Sequence, residues 1–146
     1  MIWILVIALV VGLMLLVAIG GLKPAGSRRG GRFGQLTGSL DRELVARKWA
    51  AIEAMAAAGS GGSLRDAVSE ADKLLDYALK HSGARGETMG ERLKNSGGRF
   101  SNLNAIWSAH KLRNALAHEA DFDLVASQAR EAVRALEQGL RDLGAL

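Results

Sequence analysis

Between Asp41 and Leu146 the chain contains no proline, and this stretch holds 21 alanines and 14 leucines with few β-branched residues. Alanine and leucine head the ranking of helix formers, whereas strands draw on valine, isoleucine, threonine and aromatics. A segment of this composition folds as helices or not at all. Where each helix starts and stops is marked by glycine pairs and short polar residues.

A first helix is expected from about Asp41 to Ala58, with Val45, Trp49, Ile52 and Ala56 on one face and Gly59, Gly61 and Gly62 ending it. A second is expected to open on a capping box from Ser63 to Asp66. Its apolar stripe is Leu64, Ala67, Val68, Ala71, Leu74, Leu75 and Ala78, and Gly83 lies past its end. A short third begins at Thr88 with Glu91 as its capping partner and stops at Gly97 and Gly98. The fourth runs from Ser101 or Asn102 to about His118. The fifth runs from about Asp123 to Leu143, with Val125, Ala129, Ala132, Val133, Leu136 and Leu140 on one side. Short connections favour an antiparallel up-and-down bundle. The fold class is therefore all-α, with residues 41–146 as one helical bundle domain. Roughly 100 residues are enough for a core of its own.

Residues 1–22, MIWILVIALVVGLMLLVAIGGL, carry no charge. As a helix they reach about 33 Å, enough to cross a hydrocarbon core of about 30 Å. A cleavable signal peptide has a basic leading region and a shorter apolar run. Here no Lys or Arg precedes the run, so the segment reads as a single transmembrane helix, with Trp3 at a lipid–water boundary. The first basic residues, Lys23, Arg28, Arg29 and Arg32, all follow it. Positive flanks stay inside, which predicts a cytoplasmic C-terminal domain on a single-pass membrane protein. The absence of cysteine fits a reducing compartment. Residues 23–40, KPAGSRRGGRFGQLTGSL, form a basic Gly/Arg-rich linker. Its SRRGGRFG piece resembles an arginine–glycine RNA-binding segment, but basic residues beside a membrane helix also set topology and meet anionic headgroups.

The net charge of +4 belongs to that linker. The four basic residues before position 40 leave fifteen Lys/Arg against fifteen Asp/Glu in residues 41–146. Within the domain, residues 80–118 are moderately basic and residues 119–146 acidic. No Gly-rich loop follows a strand to cradle phosphates, and no serine or cysteine nucleophile arrangement stands out. Asp72 and Asp76 sit four apart on one helix, where like charges repel. Lys80 lies one turn beyond Asp76, and Arg113 or Lys111 is the expected partner of Asp72. Two carboxylates are too few for a magnesium or calcium site, so no metal and no cofactor is called for.

The fourth helix carries the most polar stretch, HKLRNALAHE at 110–119. Ala105, Ala109, Leu112 and Leu116 share its core face. His110, Asn114 and His118 fall four apart on another face, with Arg113 beside Asn114. Arg113 and His118 are five apart, about 140° around the helix, so they converge only where the helix frays or across a two-fold interface. One reading of Lys111, Arg113 and His118 is simply cations favoured by a helix C-terminus. Trp49 and Trp107 read as core or interface residues.

Arg113-Asn114-Ala115-Leu116-Ala117-His118 also resembles the signature of HEPN domains, an Arg, a polar residue, three more residues and a His on a late helix of a small bundle. EADKLLDYAL at 70–79 is similar to an earlier core helix of such domains. The resemblance covers about residues 41–146. It implies a homodimer acting as a metal-independent endoribonuclease on RNA. Arg113 then holds the scissile phosphate, His118 is the general acid or base, and Asn114 orients one of them. His110 and Lys111, in the same polar stretch, are read beside this as candidate substrate contacts, with a packing role the alternative for His110. Many HEPN domains are instead non-catalytic modules that bind a protein partner or ligand, so the resemblance implies either activity.

Overall fold

The computed structural model describes residues 39–119 and 121–146. The expected membrane helix and most of the linker lie outside these residues. Among the described residues there are five α-helices and no strand: α1 (Arg42–Ala58), α2 (Gly61–His81), α3 (Met89–Asn95), α4 (Leu103–His118) and α5 (Ala126–Asp142), with a short 3₁₀ turn, Gly97–Arg99, after α3. None of them is long and apolar enough to cross a membrane.

α1 starts where the Asp41 side chain accepts from the Leu44 amide at 2.9 Å, and it ends at Gly59 in the left-handed conformation, φ 72°. It buries Val45, Trp49 and Ile52 of the expected stripe, while Ala56 is half-buried against the core. α2 begins earlier than the sequence predicts. Ser60 is its cap and accepts from the Ser63 amide at 3.1 Å, while the Ser63 hydroxyl folds back on Ser60. Gly61 and Gly62 therefore lie inside the first turn. α3 carries the expected capping box, with Thr88 Oγ1 accepting from the Glu91 amide and Glu91 reaching back. Backbone N–H groups of Glu87 and then Thr88 hold the Glu91 carboxyl below its ordinary range. α4 is capped by Asn102 at the Ala105 amide. α5 starts at Ala126, three residues later than expected; Val125 precedes it without a side-chain cap and is 56% exposed rather than on the core stripe.

Hydrogen bonds between helix ends fix the directions. Ser101, ahead of α4, donates N–H and O–H to Asp142 at the end of α5, at 2.7 and 2.8 Å. Arg42, opening α1, donates to the Gly144 carbonyl at 2.8 Å. Arg65, near the start of α2, donates to the Phe122 carbonyl ahead of α5, so α1 and α4 start at one end of the bundle and α2 and α5 at the other. α2 packs against α1, α4 and α5, so its apolar band is broad: Leu64, Ala67, Val68, Ala71, Leu74, Leu75, Ala78 and Leu79 are all buried. α5 buries Ala129, Ala132, Val133, Leu136, Gly139 and Leu140 at helical spacing. α4 contributes Ile106, Ala109 and Leu112, while Ala105 and Leu116 are only half-buried. One charged group sits in the middle of the α2 band. Asp72 is 3% exposed, and it faces α4.

Candidate functional site

A buried carboxylate is costly unless it is paired and hydrogen-bonded. Asp72 gains its partners from α4. His110 Nδ1 lies 2.9 Å from Oδ1 and 3.2 Å from Oδ2, and Arg113 Nε lies 3.6 Å from Oδ2, within ion-pair range. Arg113 NH1 donates to Asn114 Oδ1 at 3.1 Å. Asn114 Nδ2 meets His110 Nε2 at 3.3 Å. The four side chains therefore close a ring: Asp72, His110, Asn114, Arg113 and back to Asp72.

The i,i+4 spacing of His110 and Asn114 brings them together as the sequence implies. Arg113 joins them because Asp72 draws it inward. Of the two cations offered to Asp72 by sequence, Arg113 pairs with it; Lys111 is exposed, beside Trp107, Asn104 and Ser108 on an open depression. His118 is the last residue of α4 and is exposed, with no hydrogen bond or ion pair to any described residue. No hydrogen bond joins Arg113 and His118. Their separation follows from five residues of helix, about 7.5 Å of rise.

Asp76, one turn after Asp72, has its own cations. Arg92 Nε and NH2 both reach Oδ1 at 2.7 Å, and Lys80 Nζ reaches Oδ2 at 2.8 Å. Burial pushes the Asp76 carboxyl up, but the Arg92 and Lys80 hydrogen bonds and charges outweigh it and hold it below the ordinary aspartate range. The like-charge clash expected at this spacing is thereby relieved on both residues. Arg92 had no signal in the sequence, because its pairing depends on how α3 is laid across α2.

Between these two networks lies a cavity of about 340 Å³ lined by Asp72, Asp76, His110, Arg113, Thr88 and Gly90, among others. Trp107 lies with its ring beside Gly90 and edge-on to His110, centroids 6.0 Å apart. Among the described residues no three His, Cys, Asp or Glu side chains come together as a metal-ligand set. Within the ring the Arg113 side chain is 30% exposed against 13% for His110 and 4% for Asp72, and Asn114 is half-buried. Its Nε faces Asp72 and its NH1 faces Asn114, while NH2 has no hydrogen bond to a described residue. Chemically the ring presents a braced guanidinium to solvent. Comparison with protein-family models, with curated proteins and with solved structures finds no match.

Proposed function

We propose that the chain is a membrane-anchored HEPN-like domain, facing the cytoplasm, that dimerises and cleaves RNA without a metal. The observation that carries this reading is the arrangement of the Arg-Asn-x-x-x-His segment on α4. Arg113 is braced from behind by Asp72 and Asn114, and the His118 imidazole is exposed on the same helix. Cleavage by an RNA's own 2′-hydroxyl requires one proton removed from that hydroxyl, one given to the departing 5′-oxygen, and charge on the phosphate stabilised. A guanidinium fork matches phosphate oxygens. Two His118 rings, one from each copy, supply base and acid in one turnover. A membrane anchor assists by confining the copies to a plane and raising their effective concentration. Lys111 adds a solvent-facing cation on the same helix.

A second reading has its own support. Asp72 offsets the charge of Arg113, and the domain is formally neutral, both of which suit a non-catalytic module that docks a protein or ligand. The experiment that separates the readings uses the purified full chain in detergent with single-stranded RNA. His118→Ala and Arg113→Ala each abolish cleavage on the catalytic reading, and the double variant is little worse than either because the groups act as a unit. Chelators leave the rate unchanged. Complete absence of cleavage by the parent chain favours the docking module.

A further inference from the structure

We propose that His110 is a positioning residue: held by Asp72 as the Nδ1–H tautomer, it fixes the Asn114 amide and through it the Arg113 fork. The inference rests on the reading of Arg113 as a phosphate-binding group, and it gives His110 a role other than substrate contact.

The hydrogen positions follow in order from the one group that has no choice. A guanidinium donates and never accepts, so Asn114 must turn its Oδ1 to Arg113 NH1 at 3.1 Å. The Asn114 Nδ2 donor then faces His110 Nε2 at 3.3 Å, and Nε2 must offer a lone pair. The ring proton therefore resides on Nδ1, where it donates to Asp72 at 2.9 Å. Asp72, as a carboxylate, only accepts, and its second oxygen faces Arg113 Nε. One tautomer and one amide orientation satisfy the whole ring. A proton on Nε2 either sets two donors against each other or turns the amide oxygen away from Arg113.

Among the described residues no other hydrogen bond competes for the ring. Both imidazole nitrogens are used, and the side chain is 13% exposed. From α2 the charged groups on this side are Asp72, Lys73 and Asp76; from α4 there is Arg113; the α3 residues that line the cavity, Thr88, Met89 and Gly90, carry no charge. Lys73 is paired with Glu70 and Asp76 with Arg92 and Lys80. Loss of the His110 link leaves Arg113 tied only by the 3.6 Å contact to Asp72 and by an amide free to rotate. A displacement of about 1 Å in a phosphate-holding group costs on the order of 10²-fold in rate.

The test is nitrogen NMR of the full chain in detergent. In the parent protein at neutral pH, His110 shows a protonated Nδ1 and an unprotonated Nε2, and the Arg113 Nε–H signal is slow to exchange with water. Asn114→Asp replaces the donor facing Nε2 by an acceptor, so both ring nitrogens of His110 then carry protons. His110→Phe keeps the ring volume, leaves the Asn114 Nδ2–H and Arg113 Nη1–H protons in fast exchange with water while Nε–H stays on Asp72, and lowers kcat/KM for RNA about 10²-fold. An Nε2–H tautomer in the parent, or a His110 ring unaffected by Asn114→Asp, overturns the proposal. These spectra do not depend on turnover. A parent chain that fails to cleave RNA removes the catalytic reading while the tautomer still decides the role of His110.

Discussion

Removing the Asp76 carboxylate takes from the buried Arg92 its ion-pair partner among the described residues. The Arg92 side chain is 5% exposed, and two of its nitrogens rest on Asp76 Oδ1. Its remaining contact is NH1 to the Gly86 carbonyl at 2.6 Å. Breaking a buried pair by deleting one partner costs about 3–5 kcal/mol, because the other charge stays buried. Asp76 is itself 19% exposed and Arg92 keeps Gly86, which places Asp76→Ala near the lower end, about 3 kcal/mol. Lys80 touches the same carboxylate but is 54% exposed, so Lys80→Ala costs about 0.5 kcal/mol or less. Urea denaturation followed by circular dichroism measures both. The acid limb provides a second check. The folded-state value of Asp76 is depressed, so its contribution is complete above the ordinary aspartate value of about 4 and is lost as pH falls through the folded value. The parent chain should lose stability over that acid window, and Asp76→Ala should lose less. Equal costs for Asp76→Ala and Lys80→Ala, or parallel acid profiles, would refute the reasoning.

Further outcomes follow from single sites. Gly86→Ala should cost about 2 kcal/mol in the same denaturation assay, since φ is +140° and the added Cβ lies 2.7 Å from Glu91 Cβ and 2.8 Å from the Arg92 nitrogen. Trp49→Phe should change stability by no more than about 1 kcal/mol, because the lost ring area is offset by removing the buried Nε1–H that has no partner among the described residues. Trp49→Ala should cost about 3–5 kcal/mol. His118→Ala should leave the thermal melt unchanged, whereas Arg113→Ala should lower stability by about 3 kcal/mol, the lower end for a broken buried pair, because the buried Asp72 keeps only His110.

The helices were legible because their signals are local. Composition, stripes and the Thr88–Glu91 box depend on residues within a few positions of one another. The misplaced boundaries arose where local signals competed. Ser63 has the form of a cap, but Ser60 captures its amide and Ser63 reinforces that cap with its hydroxyl, at the expense of two glycines in the first turn. Val125 continues the α5 stripe in sequence, yet the chain is still extended there and Arg65 of α2 donates to the Phe122 carbonyl just before it. At the candidate site the i,i+4 relation of His110 and Asn114 could be read directly. The partner of Asp72 could be narrowed to α4 by charge, with Arg113 as one of two candidates. The pairing of Asp72 with His110, and of Asp76 with Arg92, required the lateral placement of α4 and α3 on α2, which no spacing within one helix encodes.

The measurement that bears most directly on the central claim is the chemistry of the RNA ends. The full chain in detergent is mixed with a 5′-labelled single-stranded RNA in the presence of a chelator, and the products are resolved. Attack by the 2′-hydroxyl, with His118 moving the protons and Arg113 holding the phosphate, predicts 2′,3′-cyclic phosphate and 5′-hydroxyl ends that disappear in His118→Ala. Intact RNA, 3′-hydroxyl ends, or cyclic-phosphate ends that persist in His118→Ala would contradict it.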